Sequence, residues 1–109
     1  MTQTDRLSRL RVMRESDPQD ADIAYMIAQE CAKAGDLEGS LTSYDACLAL
    51  DPNYHYAYFH KARVHERLEC IDDAIRTLRE GLGIAQADNN AKAIGEIEQY
   101  LTLLEDQAS

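Results

Sequence analysis

Two dipeptides, Asp17-Pro18 and Asp51-Pro52, stand thirty-four residues apart, and each is followed by an amide side chain, Gln19 or Asn53. Proline has no backbone N–H to donate and pushes the residue before it out of the helical region. Each pair therefore marks a joint where one helix stops and another can begin. A fixed spacing of this size is the signature of a repeat architecture, and it constrains the fold more than any single residue does.

Aligning residues 21–54 with 55–88 gives only two identities, Ala28/Ala62 and Leu48/Leu82, but residue class agrees at many more places. Leu37 pairs with Ile71, Leu41 with Ile75, Tyr44 with Leu78 and Leu50 with Ile84, while Ser40 meets Ala74 and Cys47 meets Gly81. Positions 37, 41, 44, 48 and 71, 75, 78, 82 follow the i, i+4, i+7, i+11 pattern of one helix face. A break at Ala34-Gly35-Asp36 divides the first unit into two helices, with Gly35 suited to the left-handed end of one and Asp36 to capping the next. The matching break at Glu69-Cys70 has no glycine, so its turn must be made differently. Each unit reads as a helix hairpin.

The chain has 109 residues, room for a single domain over 1–109 with one core. Charged residues interrupt every apolar run, so no membrane span is expected. The arginine-bearing start lacks the apolar stretch and small-residue site of a secretory signal, and the expected compartment is cytoplasmic. Cys31, Cys47 and Cys70 form an odd set without CxxC spacing, which argues against a disulfide framework and a zinc site. A net charge of −9 opposes nucleic-acid phosphates and anionic lipid, so neither nucleic acid nor membrane is an expected partner.

The small and large residues of the two units carry a resemblance to the tetratricopeptide repeat. The first copy reads Ile27-Ala28, Ser40, Tyr44, Cys47 and Pro52 at the family's key places. The second reads Tyr58, Ala62, Ala74, Leu78 and Gly81, but Lys61 replaces a large apolar residue and Gln86 the proline. The chain is similar to a small stand-alone two-repeat member. The resemblance implies an all-α fold, a short right-handed α-solenoid of antiparallel helix hairpins. Repeat one covers 21–54 and repeat two 55–88. Ala28 with Cys47, and Ala62 with Gly81, fall where the helices of a hairpin cross, because short side chains let the axes approach. Residues 4–15, with Leu7, Leu10 and Met13 in phase with the repeat, look like a half-repeat helix that stacks on the first hairpin. A membrane-surface or partner-binding role for this basic helix is the other reading. Residues 90–106, with the stripe Ile94, Ile97, Leu101, Leu104, are expected to form a capping helix over the last repeat.

By resemblance, the first helix of each repeat lines a concave groove that holds peptides. Those places carry Tyr25, Met26, Gln29 and Lys33 in repeat one and Tyr56, Phe59, His60, Arg63 and Arg67 in repeat two. An aromatic and cationic lining suits a peptide with an apolar anchor and a carboxylate. The same residues also fit ordinary packing between helices, and both readings stay open. The family's clamp for acidic chaperone tails uses Lys and Asn where this chain has Tyr25 and Gln29, so that specialisation is not expected.

His55, His60 and His65 are spaced by five residues, which turns each about 140° from the last on a helix and prevents convergence on one metal ion. Asp72-Asp73 fall where a helix starts and favour its positive end. With no phosphate loop, HExxH or GxSxG arrangement, no catalytic residue, metal or cofactor is expected. The function expected is non-enzymatic protein–protein interaction, as an adaptor or scaffold. A structural or self-assembling, homodimerising module is the alternative.

Overall fold

A computed structural model of the chain describes residues 3–108, and positions 1, 2 and 109 of the expected domain lie outside the described residues. Six helices follow in order: α1 (Gln3–Ser16), α2 (Ala21–Lys33), α3 (Leu37–Leu50), α4 (His55–Arg67), α5 (Ile71–Ala87) and α6 (Ala91–Ala108). No strand occurs among the described residues, and none of their helices is long and apolar enough to cross a membrane.

Local chemistry explains where these helices begin and end. The Asp20 side chain caps α2 by accepting from the Asp22 N–H at 2.9 Å. Asp36 caps α3 through the Gly39 N–H, and Asn90 caps α6 through the Ala93 N–H, both at 3.0 Å. Before each proline the residue after the helix still donates four residues back, Asp17 N–H to Met13 O and Asp51 N–H to Cys47 O, both at 2.9 Å. Asp51 then turns extended, at φ −140 and ψ 91, as the following ring requires. In the second hairpin Gln86 stands in the place of that proline, and α5 runs on to seventeen residues where α3 has fourteen.

The turns share one device. Asp36 N–H donates to Cys31 O, Cys70 N–H to His65 O and Asn90 N–H to Ala85 O, at 2.9–3.0 Å, each reaching five residues back across a left-handed residue. That residue is Gly35 at φ +86, Glu69 at φ 62 and Asn89 at φ 53. The missing glycine of the second hairpin is thus replaced by a glutamate held in the left-handed region.

The chain divides after Pro52 into two compact units. In the first, Leu10 of α1 is buried against Ile23, Ile27 and Cys31 of α2, with Leu7 and Met26 packed on this cluster. Met13, expected to share that stripe, is instead 48% exposed, because the helix turns it past the contact with α2. Where α2 and α3 cross, Ala28 and Cys47 are fully buried and Ser40 Oγ donates to Ala28 O at 2.8 Å. Buried Glu30 accepts from Arg6 at 2.8 Å and Lys33 at 3.4 Å.

In the second unit, Ala74 and Leu78 of α5 share one core with Ala62 of α4 and Ile97, Leu101 and Leu104 of α6. A methyl placed on Gly81 would lie 2.6 Å from Tyr58 Cβ, so the close approach of α5 to α4 depends on glycine there. His55, opening α4, is 3.1 Å from Asp88 Oδ2 and 3.2 Å from Asn90 Nδ2, which ties the start of α4 to the turn before α6.

Candidate functional site

On α4 the apolar residues Ala57, Tyr58, Ala62 and Val64 are buried, which leaves Tyr56, Arg63 and Arg67 exposed and Phe59 and His60 half-buried. The Phe59 ring meets His60 edge-on, with centroids 5.5 Å apart, and lies 5.2 Å from the ring of Tyr100 on α6. Burial, and then the nearby Arg63 guanidinium, hold the His60 imidazole below its ordinary pKa.

Phe59, Arg63 and Glu66 of α4 form one wall of a cleft of about 310 Å³; Glu96, Gln99, Tyr100 and Leu103 of α6 form the other. The Tyr100 hydroxyl donates to Glu66 Oε1 at 2.5 Å across it. Burial and this bond to a carboxylate both push the phenol pKa up, so Tyr100 stays a donor. Leu103 is 58% exposed in the cleft wall. The result is an aromatic, open trough with one guanidinium and two carboxylates, suited to an apolar side chain flanked by polar groups.

Of the positions expected from the sequence on α4, Phe59 and Arg63 line this cleft, while Tyr56, His60 and Arg67 do not. On α2, in the first unit, Tyr25, Met26 and Gln29 are half-buried and Lys33 is exposed. Gln29 Nε2 donates to the Tyr25 hydroxyl at 3.2 Å, and Tyr25 lies edge-on to buried Tyr44 at 5.9 Å. Met26 packs on the Leu10–Ile27 cluster and Lys33 on Glu30. The α6 wall was not foreseen. Its signal is present as Glu96, Gln99, Tyr100 and Leu103 at i, i+3, i+4 and i+7, a second face beside the buried Ile97, Leu101, Leu104 stripe.

Burial and then Asp51 push the Cys47 thiol up to about 12, and burial and then Asp36 raise Cys31, so both buried thiols stay protonated and poorly nucleophilic. No group of His, Cys, Asp and Glu placed to hold a metal occurs among the described residues.

Paired helices closed by small residues at each crossing define a helical-repeat protein of the tetratricopeptide type. A family model described as anaphase-promoting complex subunit 5 matches residues 13–108, and the chain belongs to that tetratricopeptide-like family. Among solved structures, it is similar to a tetratricopeptide repeat domain protein from Salinibacter ruber. The two are 30% identical over 83% of this chain and 91% of that one, with a TM-score of 0.77. The TPR2B domain of yeast Sti1, in a complex with pHsp70, is 22% identical over 96% of this chain and 84% of that one, with a TM-score of 0.87. PcrH, in complex with the chaperone binding region of PopD, is 19% identical over 98% and 81%, with a TM-score of 0.89. These likenesses establish the all-helical repeat solenoid as the fold. No curated protein matches the chain by sequence.

Proposed function

We propose that the chain is a non-enzymatic interaction module, an adaptor or scaffold, that holds a peptide segment of a partner protein. The observation that carries this reading is the cleft between α4 and α6, where Phe59 and Tyr100 supply flat apolar area and Arg63 an exposed donor fork. Membership of a tetratricopeptide-like family supports it, as do two structural neighbours, the Sti1 domain in complex with pHsp70 and PcrH in complex with the chaperone binding region of PopD. In the second unit the contacting residues are Phe59 and Arg63, with Tyr56, His60 and Arg67 along the same helix; in the first unit, taken by itself, Tyr25, Met26, Gln29 and Lys33 of α2 are the candidate contacts. The compartment proposed is the cytoplasm, where three free thiols persist without oxidation. Self-assembly is the second reading, favoured by the exposed apolar side chains of Val12, Met13 and Leu103.

The test is partner capture from native lysate by the full chain and by a variant carrying Phe59→Ala with Arg63→Glu. Capture is lost in the variant while its helical circular dichroism stays at the wild-type level. Undiminished capture by the folded variant sinks the cleft assignment.

A further inference from the structure

The first unit holds an open cavity of about 500 Å³ between α1, α2 and α3 that the peptide-binding reading does not use. Arg11, Arg14 and Glu15 of α1 line it together with Ile27 and Cys31 of α2 and Ser43 of α3. Ile27 and Cys31 are buried and form its apolar floor. Burial and then Asp36 raise the Cys31 thiol, and the Arg11 guanidinium, within hydrogen-bonding reach of it, opposes them. The Arg11 side chain is thus drawn toward the floor. Arg14, at i+3 and half-buried, stands beside it on the same side of α1.

Two observations point to a missing anion. Five other cations of this acidic chain meet carboxylates: Arg6 and Lys33 meet Glu30, Arg76 meets Asp73, Arg79 meets Glu105 and Lys92 meets Glu96. Neither Arg11 nor Arg14 forms an ion pair among the described residues. Glu15 lines the same cavity and pairs with neither, although it stands at i+4 from Arg11. It is exposed, so water screens it, and the lining keeps one positive charge in excess. Asp36, whose charge reaches Cys31, is engaged by the Gly39 N–H at 3.0 Å.

Ser43 is the second observation. It is 6% exposed, and its hydroxyl makes no hydrogen bond among the described residues. By contrast Ser40 donates to Ala28 O, Thr42 to Glu38 O and Thr77 to Asp73 O. A buried hydroxyl without a partner is costly, and one that borders a cavity takes its partner from whatever fills that space.

We propose that this cavity binds a phosphate monoester, either a free small molecule or a phosphorylated side chain of another protein. One guanidinium fork fills both oxygens of a carboxylate, which leaves the second arginine and the Ser43 hydroxyl unmet. A phosphate offers three acceptor oxygens, enough for both forks and the hydroxyl. The cavity is larger than the phosphate group, and Ile27 and Cys31 receive the first atoms beyond the ester oxygen. The second ionisation of a monoester lies near pH 6, so binding strengthens as the pH rises from about 5 to about 7.5. The site belongs to the first unit and stands apart from the reading of the α4–α6 cleft.

An NMR titration of the full chain, following the arginine side-chain N–H signals, tests this. The probes are inorganic phosphate, glycerol 2-phosphate, a blocked tripeptide with phosphoserine at its centre, the same tripeptide without phosphate, and acetate. At least one organic phosphate shifts the Arg11 and Arg14 signals with a Kd of about 1 mM or tighter, and acetate and the plain tripeptide do not. A phosphotripeptide that binds about tenfold tighter than glycerol 2-phosphate identifies a phosphorylated segment as the source; the reverse order, or equal binding, identifies a small phosphoester. Arg11→Gln with Arg14→Gln weakens binding about tenfold or more, and Ser43→Ala about fivefold. Glu15→Gln strengthens it about twofold, a gain that misfolding does not mimic and that keeps the test valid if the double arginine variant does not fold. Phe59→Ala with Arg63→Glu binds the phosphates as the wild type does. No organic phosphate bound at ~10 mM overturns the proposal. So does equal binding of acetate, undiminished binding by a folded double arginine variant, weaker binding by Glu15→Gln, or loss of binding in the cleft variant.

Discussion

Gly81 and Glu69 show how single positions set the second hairpin. A side chain at 81 meets Tyr58 Cβ at 2.6 Å, and neither backbone can retreat without opening the core around Ala62 and Leu78. Gly81→Ala is expected to cost about 1–3 kcal/mol through overpacking, although alanine is the better helix former. A lowered urea midpoint checks this, and an unchanged or raised one shows that α5 can shift freely. Glu69 presents the opposite case. It sits at φ 62, where a side chain crowds its own backbone, so Glu69→Gly should raise stability by up to about 1 kcal/mol. Thermal unfolding that starts no later than in the wild type would show that the glutamate is not strained. Small residues at the crossings were legible from the thirty-four-residue alignment, because only they satisfy close approach. The left-handed glutamate was not, since nothing in its chemistry favours that conformation. The turn is imposed by the hairpin on either side.

The last helix shows how an amphipathic pattern can be half read. The stripe Ile97, Leu101, Leu104 announces burial, and those residues are indeed in the core. A helix seen only as a lid gives no reason to examine its other side. The face of Glu96, Gln99, Tyr100 and Leu103 is not uniformly apolar, so periodicity alone does not separate it from an ordinary solvated surface. What makes it a wall is the position of α4, which brings Glu66 to the Tyr100 hydroxyl and Phe59 to the Tyr100 ring. Tyr100→Phe removes the hydroxyl and keeps the ring. The carboxylate is partly exposed and water can replace the lost donor, so the expected cost is about 1 kcal/mol, below that of a fully buried charged hydrogen bond. A chemical-denaturation curve superimposable on the wild type would show that the bond does not help hold α6 to α4. The expected lining on α2 occupies the same repeat positions as that on α4. There the half-buried residues are engaged within their own unit, Gln29 with Tyr25 and Met26 with the Leu10 cluster.

For the chain as a whole, stability against pH follows from groups whose proton affinity changes on folding. The long-range balance is acidic, with a net charge of −9, and carboxylates begin to take up protons only as the pH approaches about 4 to 5. Between neutrality and that range histidine dominates. His60 is held below the ordinary 6.5, first by burial and then by Arg63, so its folded pKa lies under its unfolded one. Above both values the imidazole is neutral in each state and contributes no slope. As the pH falls through the unfolded value, the unfolded chain binds a proton that the folded chain refuses, and stability declines. Below the folded value both states are protonated and the decline levels off. Stability held at neutral pH is therefore lost on the acid side of 6.5. The chain holds two other histidines, so the wild-type profile alone does not isolate the effect. His60→Gln does, because it keeps a polar side chain of similar reach without the titration. The difference between wild-type and variant melting temperatures, followed from about pH 8 to pH 5, should move against the wild type as acid is added. Parallel profiles would mean that the imidazole beside Phe59 and Arg63 is hydrated enough to protonate in place, and that this part of α4 is more open than its packing indicates.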